Sequence, residues 1–135
     1  MSEHIIYKVG LAIVKNRKLL LVREHGVDVW FIPGGRIRAG EDHPTALARE
    51  TREELGTDLD PESMKLLGVF TDAAAGRPNT DVEISLYTAK AEEPYKASSE
   101  IAELGWFSTS SDQNLLSAIV RNKIVPTLHE AGLID

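Results

Sequence analysis

Three glutamates, Glu50, Glu53 and Glu54, follow a Gly34-Gly35 pair at spacings that suit one helix face. At about 100° per residue, Glu53 falls near −60° and Glu54 near +40° from Glu50, an arc of roughly 100°. Uncompensated like charges at i,i+3 and i,i+4 destabilise a helix by a few tenths of a kcal/mol each. A hard divalent cation reverses that cost, because magnesium takes oxygen ligands and keeps waters that substrate phosphates can displace. The Pro33-Gly34-Gly35 turn ahead of the helix can bring a bare backbone carbonyl to the same cluster, because Gly has no side chain to block the approach. Arg49 lies four residues before Glu53 and can hold one carboxylate in place while others bind metal. A Glu-rich helix face alone is usually just solvated. What singles this one out is the joint pattern of the Gly turn, Glu41, Arg49-Glu50, Glu53-Glu54 and Gly56.

Asp42 suits a helix N-cap, Pro44 is tolerated in the first turn, and Gly56 suits a left-handed C-terminal cap. These signals predict a helix from about His43 to Leu55, with Leu47, Ala48, Thr51 and Leu55 on its buried side. Upstream, Ile5 to Val14 and Leu19 to Arg23 read as two strands of a hairpin closed by Lys15-Asn16-Arg17-Lys18. The short apolar run Val29 to Ile32 stops at Pro33-Gly34-Gly35, a strong turn signal. Further strands are expected at Met64 to Asp72, Asp81 to Ala89 and Ile101 to Phe107, with a turn at Gly76-Arg77-Pro78-Asn79. Apolar residues at 115, 116, 119 and 120 predict an amphipathic helix from Asp112 to about Val125, which Pro126 should kink or end. The expected class is α+β, as an α/β/α sandwich: a mixed β-sheet flanked by the carboxylate helix and a C-terminal helix. Residues 1–135 are expected to form a single domain.

The formal net charge of −6 argues against polymeric nucleic acid as a partner, since that binding needs clustered Lys and Arg. It leaves a small phosphate substrate open if metal ions sit between carboxylates and phosphates. No cysteine is present, which excludes disulfides and thiolate metal sites and fits a reducing cytoplasm. No apolar run approaches the roughly 20 residues that cross a bilayer. Met1-Ser2-Glu3-His4 has no basic segment followed by an apolar stretch, so no signal peptide and no membrane partner are expected, and the expected location is cytoplasmic.

Residues 35–57 resemble the Nudix box: Gly, five residues, Glu, seven residues, Arg-Glu, a hydrophobic, any residue, Glu-Glu, any residue, Gly and a hydrophobic. Gly35, Glu41, Arg49, Glu50, Glu53, Glu54 and Gly56 fill every charged and Gly position. Thr51 and Thr57 stand where aliphatic residues are usual, and both are packing positions. The resemblance extends to Trp30-Phe31-Ile32-Pro33 before the box and Gly105-Trp106-Phe107 after it. It implies a Nudix fold and an Mg²⁺-dependent enzyme, with Mn²⁺ as a substitute, that hydrolyses a nucleoside diphosphate linked to another moiety. It implies further that Glu50, Glu53 and Glu54 ligate the metal together with the Gly35 carbonyl, and that Arg49 and Glu41 orient them. Glu53 is the expected general base. Glu100 and Glu103, just before Trp106, are rivals for that role or for an extra metal ligand.

Arg23, Arg36, Arg38 and Arg77 are candidates for contact with substrate phosphates, each weighed against an ordinary solvated arginine. Trp30, Phe31, Tyr87, Trp106 and Phe107 could stack on a nucleobase, but aromatics at strand positions are more often core. His4, His25, His43 and His129 show no metal-ligand spacing.

Asp72 and Ala73-Ala74-Ala75 occupy the region where ADP-ribose enzymes of the family carry a Pro, and the first Pro here is Pro78. The chain most resembles the small nucleoside-triphosphate pyrophosphohydrolases, which release a nucleoside monophosphate and pyrophosphate. A nucleotide-sugar or ADP-ribose hydrolase is the alternative enzyme. A catalytically silent nucleotide-binding regulator is the alternative from another class. It predicts loss of a box carboxylate, and none is missing. A plain structural domain with an acidic helix predicts no response to Mg²⁺. Many members of the family are dimers, so a homodimer is left open.

Overall fold

A computed structural model describes residues 4–135. The strands are β1 (His4–Leu11), β2 (Val14–Lys15), β3 (Lys18–Glu24), β4 (Trp30–Phe31), β5 (Gly34–Arg36), β6 (Lys65–Ala73), β7 (Thr80–Thr88) and β8 (Ile101–Phe107). Helix α1 (His43–Leu55) follows β5, and α2 (Val125–Glu130) lies near the C-terminus. Two four-stranded sheets result. One runs β5-β1-β7-β6 and is mixed, with β1 and β7 parallel and the other pairs antiparallel. In the other, β3 pairs antiparallel with β2, β4 and β8. The expected mixed sheet flanked by helices is therefore present, joined by a second, antiparallel sheet.

Strand β3 explains the layering. Its Leu19-Leu20-Leu21-Val22 run is buried throughout, the mark of a strand covered on both faces. Leu19 and Leu21 join a core with Val82, Ile84, Leu86, Ile119, Ile124 and Leu128, under the C-terminal helix. Leu20 and Val22 join Val9, Leu11, Ala46, Leu47 and Leu55, under α1. Helices on both sides of the sheets make the α/β/α sandwich.

The expected hairpin differs in detail. Only Val14-Lys15 pairs back on Lys18-Leu19. The turn is Asn16-Arg17, both at positive φ, 51° and 61°, the geometry whose twist suits a two-residue hairpin. Residues before Ala12 belong to β1, in the other sheet, where β5 and β7 supply the hydrogen bonds.

The C-terminal helix also differs from expectation. Residues 113–115 form a 3₁₀ turn capped by the Asp112 carboxylate, which accepts from the Asn114 N–H at 3.0 Å. Leu116 then bridges to Trp30, which holds this stretch extended, and helical geometry begins at residue 118. Pro126 does not end the helix. A π-helical turn, Val120–Ile124, precedes it, and the Val125 N–H bonds the Val120 carbonyl. The wider turn makes room for a ring that otherwise collides with the carbonyl four residues back. No helix among the described residues is long and apolar enough to cross a membrane.

Candidate active site

Helix α1 runs over the expected residues because its ends are satisfied locally. The Asp42 carboxylate accepts from the Thr45 N–H at 2.9 Å. Gly56, at φ 64°, donates its N–H to the Arg52 carbonyl. Its buried side carries Ala46, Leu47, Thr51 and Leu55. Thr57, the other unusual box residue, is satisfied by donating its hydroxyl to the Glu92 carbonyl at 2.6 Å.

The carboxylates do not share one environment. Glu50 and Glu54 are only 8% and 6% exposed, whereas the Glu53 side chain is 44% exposed. The Gly34 N–H donates to Glu54 Oε1 at 2.8 Å. Gly34 has φ 142°, and a Cβ there would lie 2.0 Å from the Val9 carbonyl oxygen. Strand β5 fixes this approach by pairing Val9 with Gly35 and Gly10 with Gly34. At Gly35 a Cβ would sit 2.5 Å from the Glu50 carboxyl carbon. Gly35 is thus a demand of close packing between β5 and the carboxylate-bearing helix, and Gly34 of its positive φ and close approach to the β1 backbone.

Arg49 is the hub of the polar network. Its Nε and Nη2 donate to the two Glu41 carboxylate oxygens, each at 2.8 Å. Nη1 donates to Glu50 Oε1 at 2.7 Å, and Nη2 also reaches the Arg36 carbonyl at 3.1 Å. Glu53, expected from the i,i+4 spacing to be the Arg49 partner, lies 3.7 Å away. The guanidinium leans towards the loop before α1, where Glu41 offers two oxygens at once.

Burial pushes the Glu54 carboxyl up to about 8, against the Gly34 N–H, with repulsion from Glu50, Glu100 and Glu24 adding to the rise. Burial also raises Glu50, while Arg49 opposes that shift. Glu41 moves the other way. The Arg49 hydrogen bonds, helped by the Arg38 N–H, hold it at about 2.

This arrangement fits a divalent cation. The donors are all oxygen, the Glu50 and Glu54 carboxylates are desolvated with Arg49 bonding only the first of them, and the backbone beside Glu50 is bare where a Cβ would fill the space. Among the described residues, no three His, Asp or Glu side chains close into a cage. An open ligand set suits magnesium, which binds through one or two carboxylates and keeps several waters.

The site opens into a cleft of about 760 Å³. Gly35, Arg36, Arg38, Arg49, Glu50, Glu53, Glu54, Arg77 and Glu100 all line it. Glu41 stands behind the lining, holding Arg49. Arg23 and Glu103 are not part of it: they face each other across β3 and β8, and Arg23 Nε donates to Glu103 Oε1 at 2.7 Å. Arg23 also caps the Glu24 and Val27 carbonyls, so its donors are committed to structure. Of the aromatics, Phe31 reaches the cleft. Trp30 packs against Phe107 with ring centroids 4.9 Å apart, and Tyr87 shares a 2.7 Å hydrogen bond with His43. Three charged or polar lining residues escaped the sequence reading: Lys8, Glu24 and Ser117. Lys8 left one trace, as a charge inside an apolar strand.

Comparison with known proteins agrees with this geometry. The NUDIX domain family model matches residues 6–127. A MutT-like protein of Streptomyces ambofaciens is 23% identical over 96% of this chain and 80% of its own length. An RNA pyrophosphohydrolase of Marinomonas sp. is 38% identical over 44% of this chain, a stretch that spans 37% of that protein. Among solved structures, a MutT NUDIX hydrolase from Burkholderia pseudomallei is 28% identical, with TM-score 0.64 over 78% of this chain and 84% of that one. The MutT protein from Methanosarcina mazei Go1 has TM-score 0.75 at 20% identity, covering 97% of this chain and 98% of that one. With the family model spanning both sheets, α1 and most of the C-terminal helix, the chain belongs to the Nudix hydrolase family.

Proposed function

We propose that the chain is a Mg²⁺-dependent pyrophosphohydrolase that cleaves a small nucleoside triphosphate, or a modified one, to the monophosphate and pyrophosphate. The observation that carries this reading is the polarity of the cleft. Its lining combines the α1 carboxylates and the arginines Arg36, Arg38 and Arg77 with apolar side chains, Ile6, Ile32, Val82, Ile84 and Ile119. A charged phosphate chain suits the first and an uncharged base the second. Its size falls in the usual range for small-molecule sites, about 300–1,000 Å³.

Glu50, Glu54 and the Gly35 carbonyl are the ligands we assign to magnesium, with Glu53 completing the set or acting as base. Bound magnesium supplies charge neutralisation at the diphosphate and at the departing oxygen. The chain's own groups do the rest. Arg49 holds Glu50 by a 2.7 Å hydrogen bond and is itself held by Glu41. Arg36, Arg38 and Arg77 orient the phosphates. Glu53, solvent-facing at the cleft, takes a proton from the attacking water as oxygen bonds to phosphorus. The bridging P–O bond breaks, and its electrons leave on the pyrophosphate. Glu100, also in the lining, is the second candidate for the base. The unit is assigned to residues 1–135 and to the cytoplasm, in keeping with a cysteine-free composition.

The test is phosphate release from nucleoside triphosphates with inorganic pyrophosphatase added, and from ADP-ribose, nucleotide sugars and dinucleoside polyphosphates with alkaline phosphatase added, each with Mg²⁺ present or chelated. Mg²⁺-dependent release confined to triphosphates is the expected result. Release from ADP-ribose or nucleotide sugars alone would replace the substrate assignment.

A further inference from the structure

Lys8 and Arg36 stand directly opposite each other where β1 pairs with β5. On one side of this rung the Ile37 N–H donates to the Tyr7 carbonyl, and further along on the other the Leu11 N–H donates to the Pro33 carbonyl. Hydrogen-bonded rungs alternate with open ones in an antiparallel pair. Lys8 and Arg36 therefore occupy an open rung, where side chains lie closest on a shared face. Both line the cleft. Two basic side chains placed this way oppose each other.

Neither side chain has a carboxylate partner. Among the described residues no ion pair includes Lys8 or Arg36, whereas Arg49 is held by Glu41 and Glu50, and Arg23 by Glu103. Burial lowers the pKa of Lys8, and the charges that act on it are those of Glu24, Glu54, Arg36 and Glu50, all in the cleft lining. The next rung joins Val9 to Gly35, whose carbonyl is assigned above to magnesium. Successive rungs are about 3.4 Å apart along a strand. The Lys8–Arg36 pair thus stands beside the place assigned to the metal and the phosphates it meets.

We propose that Lys8 is a further substrate-binding residue, and that with Arg36 it clamps the non-bridging oxygens of the substrate's diphosphate. This rests on the pyrophosphohydrolase reading above. An anion between two opposed basic groups turns their repulsion into two attractions, as a divalent cation does for the α1 carboxylates. Arginine presents a planar fork to phosphate and lysine a compact point donor, so the two can grip different oxygens of one diphosphate. The lysine nitrogen carries N–H donors in either protonation state, and a phosphate beside it favours the charged one.

The experiment is calorimetric binding of pyrophosphate, with Mg²⁺, to the wild type, Lys8→Met, Lys8→Arg and Lys18→Met, beside kcat and KM for nucleoside triphosphates. Lys8→Met should weaken pyrophosphate binding about tenfold, the worth of one charge-assisted contact, and raise KM by a similar factor with kcat nearly unchanged. Mg²⁺ binding without pyrophosphate should be undiminished, which separates a phosphate contact from damage to the metal site. Lys8→Arg keeps a cationic donor and should recover most of the affinity. Lys18→Met removes the same charge from an exposed strand end outside the cleft and should bind as the wild type does. Equal pyrophosphate binding by wild type and Lys8→Met, or none by the wild type, overturns the proposal, as does a loss that Mg²⁺ binding shares. Should Lys8→Met fail to fold, Lys8→Gln takes its place with the same expectations. Pyrophosphate binding that Lys8→Met weakens, without turnover of any triphosphate, would sink the pyrophosphohydrolase reading and leave the clamp standing.

Discussion

Gly35 lies against Glu50 so closely that a Cβ at the glycine would sit 2.5 Å from the carboxyl carbon. The contact joins the edge strand β5 to the middle of α1 and leaves the backbone beside the carboxylates open. Gly35→Ala is therefore expected to displace the Glu50 side chain, at a cost of about 1–3 kcal/mol for overpacking. Activity should fall at least tenfold, with weaker Mg²⁺ binding by titration calorimetry. Wild-type Mg²⁺ affinity in this variant would show that Glu50 is not a ligand.

Glu53 offers the cleanest separation of chemistry from folding, because its side chain is 44% exposed while Glu50 and Glu54 are buried. Surface substitutions of this kind usually change stability by less than about 0.5 kcal/mol. Glu53→Gln should leave the thermal midpoint nearly unmoved and lower kcat by about a hundredfold or more, in the range for loss of general base catalysis. Normal turnover would transfer the base role to Glu100, whose own Gln variant is the companion measurement.

Glu54 makes stability depend jointly on pH and metal. A carboxyl raised from 4.5 to about 8 binds more protons folded than unfolded between those values. Stability from this group is thus highest below 4.5 and is lost as pH rises towards 8. Mg²⁺ favours the ionised form, so its stabilising effect should be larger at pH 8 than at pH 6. Thermal melts at both pH values, with Mg²⁺ and with EDTA, check this. Equal metal stabilisation at the two pH values would remove Glu54 from the ligand set.

Glu41 has the opposite sign. Arg49 holds it at about 2, below its ordinary 4.5, so its contribution is present above 4.5 and lost as pH falls through about 2. Glu41→Gln weakens the grip on Arg49, and with it the Arg49 hydrogen bond to Glu50. A kcat about tenfold lower with KM nearly unchanged is expected at neutral pH. A change confined to KM would make Glu41 a substrate contact instead.

Arg77 and Arg23 should respond differently to Ala. Arg77 lines the cleft, and its loss should raise KM about tenfold, as for one charge-assisted phosphate contact. Arg23 is committed to Glu103, and a partly exposed pair of that kind contributes about 1 kcal/mol or less. Arg23→Ala should lower the thermal midpoint slightly and leave KM alone. Steady-state kinetics on both variants decide the matter.

What the sequence determined by itself was local. The bounds of α1, its Asp42 and Gly56 caps and the common face of Glu50, Glu53 and Glu54 follow from helical spacing and end chemistry, which need no distant partner. What tertiary structure decided depends on strands meeting across the chain. Register set Arg23 opposite Glu103 and so withdrew it from the cleft. The parallel pairing of β1 with β7 took residues up to Leu11 out of the hairpin and placed Lys8 beside Ile84. Leu116 pairing with Trp30 delayed the C-terminal helix and fixed Ser117 at the cleft wall. The different proton affinities of Glu54 and Glu41 come from burial and from one arginine, neither of which spacing along a helix encodes. Register and burial are sums over the whole fold, whereas caps and helical faces are written within a few residues.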